Sequence, residues 1–159
     1  LECNVRVRYK PISRKAELMS INLRVAELRD IERCSELLHM LSGWESINTG
    51  VFESFVIGER GLVILAEEDD LIHGFASLSF NLGLRFSNQY CQLEELIVDP
   101  AARGNNIGAL LMNEAVRVAK EKDCQSFGLY LMESTEHNRP FYEKFGFVMV
   151  GSEMRQEFD

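Results

Sequence analysis

Apolar and polar residues alternate over Ile21-Asn22-Leu23-Arg24-Val25, a pattern that predicts a β-strand. From Leu28 to Met40 the period changes. Leu28, Ile31, Leu37, Leu38 and Leu41 recur at helical spacing with charges between them, and Gly43 supplies the stop. Residues 44–60, around Trp44, Ile47, Val51 and Phe52, carry a weaker helical or irregular pattern. Leu62 to Glu67 is a buried strand, Asp69-Asp70 a turn, and Leu71 to Leu82 a second, partly alternating strand. Gln89 to Val98 is a third, ended by Asp99-Pro100 because proline cannot continue a ladder. Asn105 to Lys122 is an amphipathic helix with Ile107, Leu111, Ala115 and Val118 on one face. A strand over Phe127–Met132, a short helix over Pro140–Phe145 closed by Gly146, and one or two strands within Phe147–Glu157 complete the chain. The order predicts a single α/β (α+β) domain with helices covering a mixed sheet.

The length, 159 residues, fits one domain, and 46% hydrophobic and 26% charged residues are ordinary for a globular protein. Disordered and collagen-like classes are excluded, and the longest aliphatic run, Leu62 to Ala66, is far too short to span a membrane. The net charge of −8 is unevenly placed. Residues 1–18 hold five cations and two carboxylates, leaving −11 on residues 19–159. We read 19–159 as the domain, starting near Met19. Residues 1–18 read as an extension, disordered or not native to it: an upstream translated segment, an interaction arm or a remnant. An acidic body opposes nucleic-acid binding and suits a small cationic substrate, whose local concentration its field raises. Cys3, Cys34, Cys91 and Cys124 form no C-x-x-C pair, which points to isolated thiols in a reducing cytoplasm. No His, Cys or Asp cluster has metal-ligand spacing.

The most informative stretch runs from Leu93 to Leu111 and reads strand, turn, helix. Its turn has two glycines, two asparagines and one arginine, a composition that aims backbone N–H groups into one concavity at the positive end of a long helix. That is a phosphate or pyrophosphate site. The P-loop pattern fails because no Lys or hydroxyl residue follows Gly108, and the spacing of Gly104 and Gly108 is not G-x-G-x-x-G.

Arg103-Gly104-Asn105-Asn106-Ile107-Gly108-Ala109 resembles motif A of the GNAT superfamily of acetyl-CoA-dependent N-acetyltransferases, [RQ]-x-x-G-x-[GA], with Asn106 in place of the first glycine. Asn138-Arg139-Pro140-Phe141-Tyr142-Glu143-Lys144-Phe145-Gly146-Phe147 resembles motif B, F-Y-x-K-x-G-F. The resemblance extends over the element order from residue 21 to 158. It implies a mixed, mostly antiparallel sheet of six to seven strands flanked by about four helices, with acetyl-CoA as co-substrate and no metal. It further implies that the N–H groups of Arg103, Gly104, Asn105, Asn106, Ile107, Gly108 and Ala109 hold the CoA pyrophosphate. The pantetheine arm would pair with the strand near Leu96 and Val98. Asn138 is a further CoA contact, or alternatively a helix N-cap. Tyr142 is the group beside the thioester sulfur that protonates the departing thiolate, or alternatively an amphipathic core tyrosine.

Glu94 and Glu95 are adjacent in a strand, so they are expected on opposite faces. By resemblance Glu94 is the base that frees the amine of its proton, with Glu95 as the alternative. Alternatively, one or both are surface or strand-edge carboxylates in ion pairs. The implied reaction is direct attack of a primary amine, small-molecule or peptide, through a tetrahedral intermediate. No nucleic-acid or membrane partner is expected, and resemblance implies a homodimer. A CoA-binding module without turnover is the competing reading.

Overall fold

The structure is a computed structural model that describes residues 5–6, 20–43, 45–156 and 158. One sheet runs in the spatial order β1 (Val5–Arg6), β2 (Asn22–Val25), β3 (Gly61–Glu68), β4 (Leu71–Leu82), β5 (Gln89–Val98), β6 (Cys124–Leu129). All neighbours are antiparallel except β5 and β6, which are parallel. Helices α1 (Ile31–Ser42) and α2 (Thr49–Ile57) cover one face, and α3 (Ile107–Glu121) covers the other, with the short α4 (Arg139–Glu143) beside it.

Helices on both sides explain the pattern of β3. Val63 and Leu65 enter the core under α1 and α2 with Leu37, Phe52, Phe75 and Ile97. Ile64 and Ala66 enter the core under α3 with Leu78, Phe80, Leu111 and Met112. A strand buried on both faces reads as a continuous apolar run.

Caps follow the sequence. Gly43 ends α1 at φ 72°, and its N–H donates to the His39 carbonyl at 3.0 Å. Asn48 opens α2, its side chain accepting from the Val51 N–H at 3.1 Å. The Asp69-Asp70 turn has both residues at positive φ, 48° and 65°, as a two-residue hairpin turn requires. Glycine adopts that conformation without a Cβ penalty, so Asp70→Gly is expected to raise stability by about 0.5 kcal/mol, read from a denaturant midpoint.

The expected mixed, mostly antiparallel sheet with four helices is present, but its strands are counted differently. Within the segment assigned to an extension, Val5–Arg6 pairs with Leu23 and Asn22. The rest of residues 1–18, Met19 and Trp44 lie outside the described residues. The strands expected over Phe147–Glu157 are absent among the described residues of that segment. Val148, Val150 and Met154 are exposed there, and the segment forms no ladder with another strand among the described residues, although β6 ends the sheet with one edge unpaired. β6 also begins three residues earlier than the apolar run suggests, because Cys124 pairs with Gln89 of β5 ahead of a register irregularity.

Candidate functional site

Strand β5 carries the site. Along β4, Ser77 stands opposite Glu95 and Leu78 opposite Leu93, so Glu94 is an extra residue on β5, a β-bulge. The bulge inverts the alternation. Cys91 and Leu93 before it, and Leu96 and Val98 after it, all pack toward α3. Glu94 and Glu95 therefore both turn to the α1–α2 face, where they line one cavity. The expectation of opposite faces is overturned, because period-two alternation holds only in an unbroken ladder.

The cavity holds about 250 Å³. Leu38, Ile47, Phe52, Phe55, Val63 and Phe75 form its apolar walls, and Ser77, Glu94 and Glu95 form its polar floor. The Ser77 hydroxyl donates to Glu95, and the Ser79 hydroxyl donates to Glu94. Asn81 in turn donates to the Ser79 oxygen at 2.8 Å. Burial pushes the Glu95 carboxyl above the ordinary carboxylate range and the charge of Glu94 adds to this, while the bond from Ser77 opposes it. Sequence reasoning missed Ser77 and Ser79. Their signal was the Ser-x-Ser spacing, which puts two hydroxyls on one face of a strand that neighbours the glutamates.

The same bulge marks where the sheet opens. The β5–β6 ladder ends at Leu93 opposite Leu129, so residues 95–98 pair only with β4 among the described residues. Leu96 and Val98 thus stand on a strand edge with free main-chain groups. Beyond it, a second cavity of about 310 Å³ opens at the start of α3, lined by Val98, Arg103, Gly104, Asn106, Gly108 and Phe141, among others. Gly104 (φ 86°) and Asn106 (φ 63°) turn the chain into the helix. Asn106 takes the left-handed conformation as one of the few residue types that do so readily. The N–H groups of residues 104–108 donate to nothing among the described residues. Five unsatisfied donors at the positive end of a 15-residue helix form an anion cradle.

Asn105 braces the turn, its side-chain amide donating to the Ala102 carbonyl at 3.1 Å. Asp99 accepts from the Ala101 N–H at 2.9 Å and from Arg33 of α1 at 2.6 Å, tying the cradle to the helix over the other cavity. A methyl group at Gly108 would meet the Phe141 ring and Val98 at 3.6–3.8 Å, ordinary contact distances, within the lining of the cradle. Gly108→Ala is therefore expected to fold normally and to weaken acetyl-CoA binding about tenfold, measured by calorimetry.

Residues 25–147 match the acetyltransferase (GNAT) family. The chain belongs to that family. It is an acetyl-CoA-dependent N-acetyltransferase. This GNAT chain is 30% identical over 146 residues to glucosamine 6-phosphate N-acetyltransferase of Trypanosoma brucei brucei, across 87% of this chain and 97% of that one. It is 34% identical over 149 residues to probable glucosamine 6-phosphate N-acetyltransferase 2 of Oryza sativa subsp. japonica, across 85% and 86% of the two chains. Its fold superposes with a TM-score of 0.79 on the crystal structure of a transcriptional regulator from Bacillus halodurans C-125, at 22% identity over 87% of this chain and 99% of that one.

GNAT enzymes use acetyl-CoA, and the residues present fit it: free N–H donors where a pyrophosphate needs them, and an unpaired strand edge where an amide-bearing arm needs a partner. Tyr142 lies on α4 with its ring against those of Phe141 and Phe147, and burial pushes its phenol up. It lines neither cavity. Asn138 precedes α4 without a capping hydrogen bond from its side chain and is exposed, so the N-cap alternative is not realised. Among the described residues no cluster of His, Cys, Asp and Glu has the makings of a metal site, and no helix is long and apolar enough to cross a membrane.

Proposed function

We propose that the enzyme acetylates the primary amine of a small cationic acceptor bound over Glu94 and Glu95. The observation that carries this is the bulge, which puts two carboxylates on one face where the free edge of β5 begins. Two carboxylates attract an ammonium group and then remove its proton. Glu94 holds the ammonium charge. Glu95 is the base, because a carboxyl raised toward neutral pH is the better proton acceptor for this work. Glu95 takes one proton from the ammonium group and releases it to solvent, leaving a neutral amine. As that nitrogen bonds to the acetyl carbon, the carbon–sulfur bond breaks and the thiolate takes the Tyr142 proton. The nitrogen's surplus proton returns to the Tyr142 oxygen. The N–H groups of residues 104–108 hold the pyrophosphate, and Leu96 and Val98 pair with the pantetheine arm. Asn138, exposed at the start of α4, remains in reach of solvent-side portions of CoA.

Glucosamine 6-phosphate is a second reading of the acceptor, favoured by the names of the two relatives. A homodimer in the cytoplasm completes the proposal. Its support is the exposed apolar segment around Val148, Val150 and Met154, and the free thiols of Cys34, Cys91 and Cys124. The test is thiol release from acetyl-CoA on adding primary amines, with one N-acetyl product per thiol by mass spectrometry. Release that no amine stimulates overturns the proposal.

A further inference from the structure

The acceptor cavity is polarised in a way that bears on substrate class. One end carries Glu94, Glu95 and the hydroxyl of Ser77, and the rest is lined by Leu38, Ile47, Val51, Phe52, Phe55 and Phe75, with no Arg or Lys among the lining residues. A phosphate ester desolvated against such walls would have no cation to pair with, beside two carboxylates of its own sign. A second ammonium group on the acceptor would meet the same apolar walls unpaired. The volume, about 250 Å³, is that of roughly eight waters at ~30 Å³ each, enough for one small ring or a short alkyl chain. Aromatic residues supplied by α2 and β4 offer ring faces and edges to such a group.

We infer that the acceptor is a primary monoamine with an aromatic or alkyl body, its ammonium held at Glu94 and Glu95 and its apolar part packed against Phe52, Phe55 and Phe75. This deepens the proposed amine acetylation and rests on it. It also separates this enzyme from its relatives, whose names specify a phosphorylated amino sugar.

The test compares 2-phenylethylamine, ethylamine, putrescine and glucosamine 6-phosphate as acceptors for the purified full chain, by thiol release at saturating acetyl-CoA. Burying the ring is expected to raise kcat/KM for 2-phenylethylamine over ethylamine on the order of 50-fold, with putrescine and glucosamine 6-phosphate at or below ethylamine. Val51 is half exposed on the cavity wall, so Val51→Asp is tolerated by the fold and places a charge against the apolar body. It is expected to cut the advantage of 2-phenylethylamine over ethylamine at least tenfold. Preference for glucosamine 6-phosphate, or equal use of ethylamine and 2-phenylethylamine, overturns the inference while leaving amine acetylation standing. Failure of all four amines to stimulate thiol release overturns both.

Discussion

Glu95→Gln is expected to lower kcat by at least about 100-fold with little change in the KM for acetyl-CoA. Glutamine keeps the size of the side chain and a hydrogen bond with Ser77 but cannot take a proton. The cradle proposed for the pyrophosphate lies at the start of α3 and does not include Glu95, so donor binding is expected to stay intact. The pH profile separates a base from a merely structural carboxylate. In the parent enzyme kcat/KM climbs as the pH rises through the Glu95 pKa, which burial holds above the ordinary carboxylate range, because only the carboxylate accepts the amine proton. Ser77→Ala removes the hydrogen bond that stabilises the carboxylate, so this limb shifts to higher pH while the plateau is largely kept. In Glu95→Gln the limb disappears. An unshifted limb in both variants would assign the base elsewhere, with Glu94 next in line.

The second large effect concerns stability. Arg24 of β2 makes a two-pronged contact with Asp30, at 2.7 and 2.9 Å, and its Nε reaches Glu67 of β3 at 2.8 Å. All three side chains are largely buried. Burial alone would push the Asp30 carboxyl up, but the bonds from Arg24 and from the Glu27 N–H outweigh it and hold it below the ordinary carboxylate value. Its contribution is therefore fully present above the ordinary carboxylate pKa and is lost as the pH falls through the lowered native value. Arg24→Met leaves Asp30 and Glu67 buried without their cation, which costs about 3–5 kcal/mol, or roughly 10 °C in Tm. The deficit is greatest at neutral pH and narrows in acid. There the unpaired carboxylates of the variant become protonated while the parent loses its ion pairs. A deficit that is flat with pH would mean that lost packing of the arginine stem, not lost charge pairing, sets the cost.

Much of the fold was legible because local chemistry and global packing agree. Gly43 stops α1 through its own conformational freedom, whatever packs around it, whereas the Asn48 cap of α2 was hidden in the weak pattern of residues 44–60. The Asp69-Asp70 turn and the apolar stripe of α3 are equally local statements. The Arg103–Ala109 turn announced an anion cradle for the same reason: glycine and asparagine are residue types that accept positive φ, and a helix start exposes its N–H groups whatever surrounds it.

The elements, the cradle and the membership of an acyl-CoA-using family thus follow from residue patterns along the chain. The remaining features depend on how strands and helices meet. Whether Glu94 and Glu95 share a face depends on one unpaired residue in the β4–β5 ladder, and a bulge is a property of two strands in register, not of either alone. Whether Val148 to Met154 forms a strand is decided by main-chain pairing with a neighbouring edge, and the segment makes none among the described residues although β6 ends the sheet. The cavity over Glu94 and Glu95 draws residues from α1, α2, β3, β4 and β5, and no period along the chain marks side chains that meet only when those elements pack.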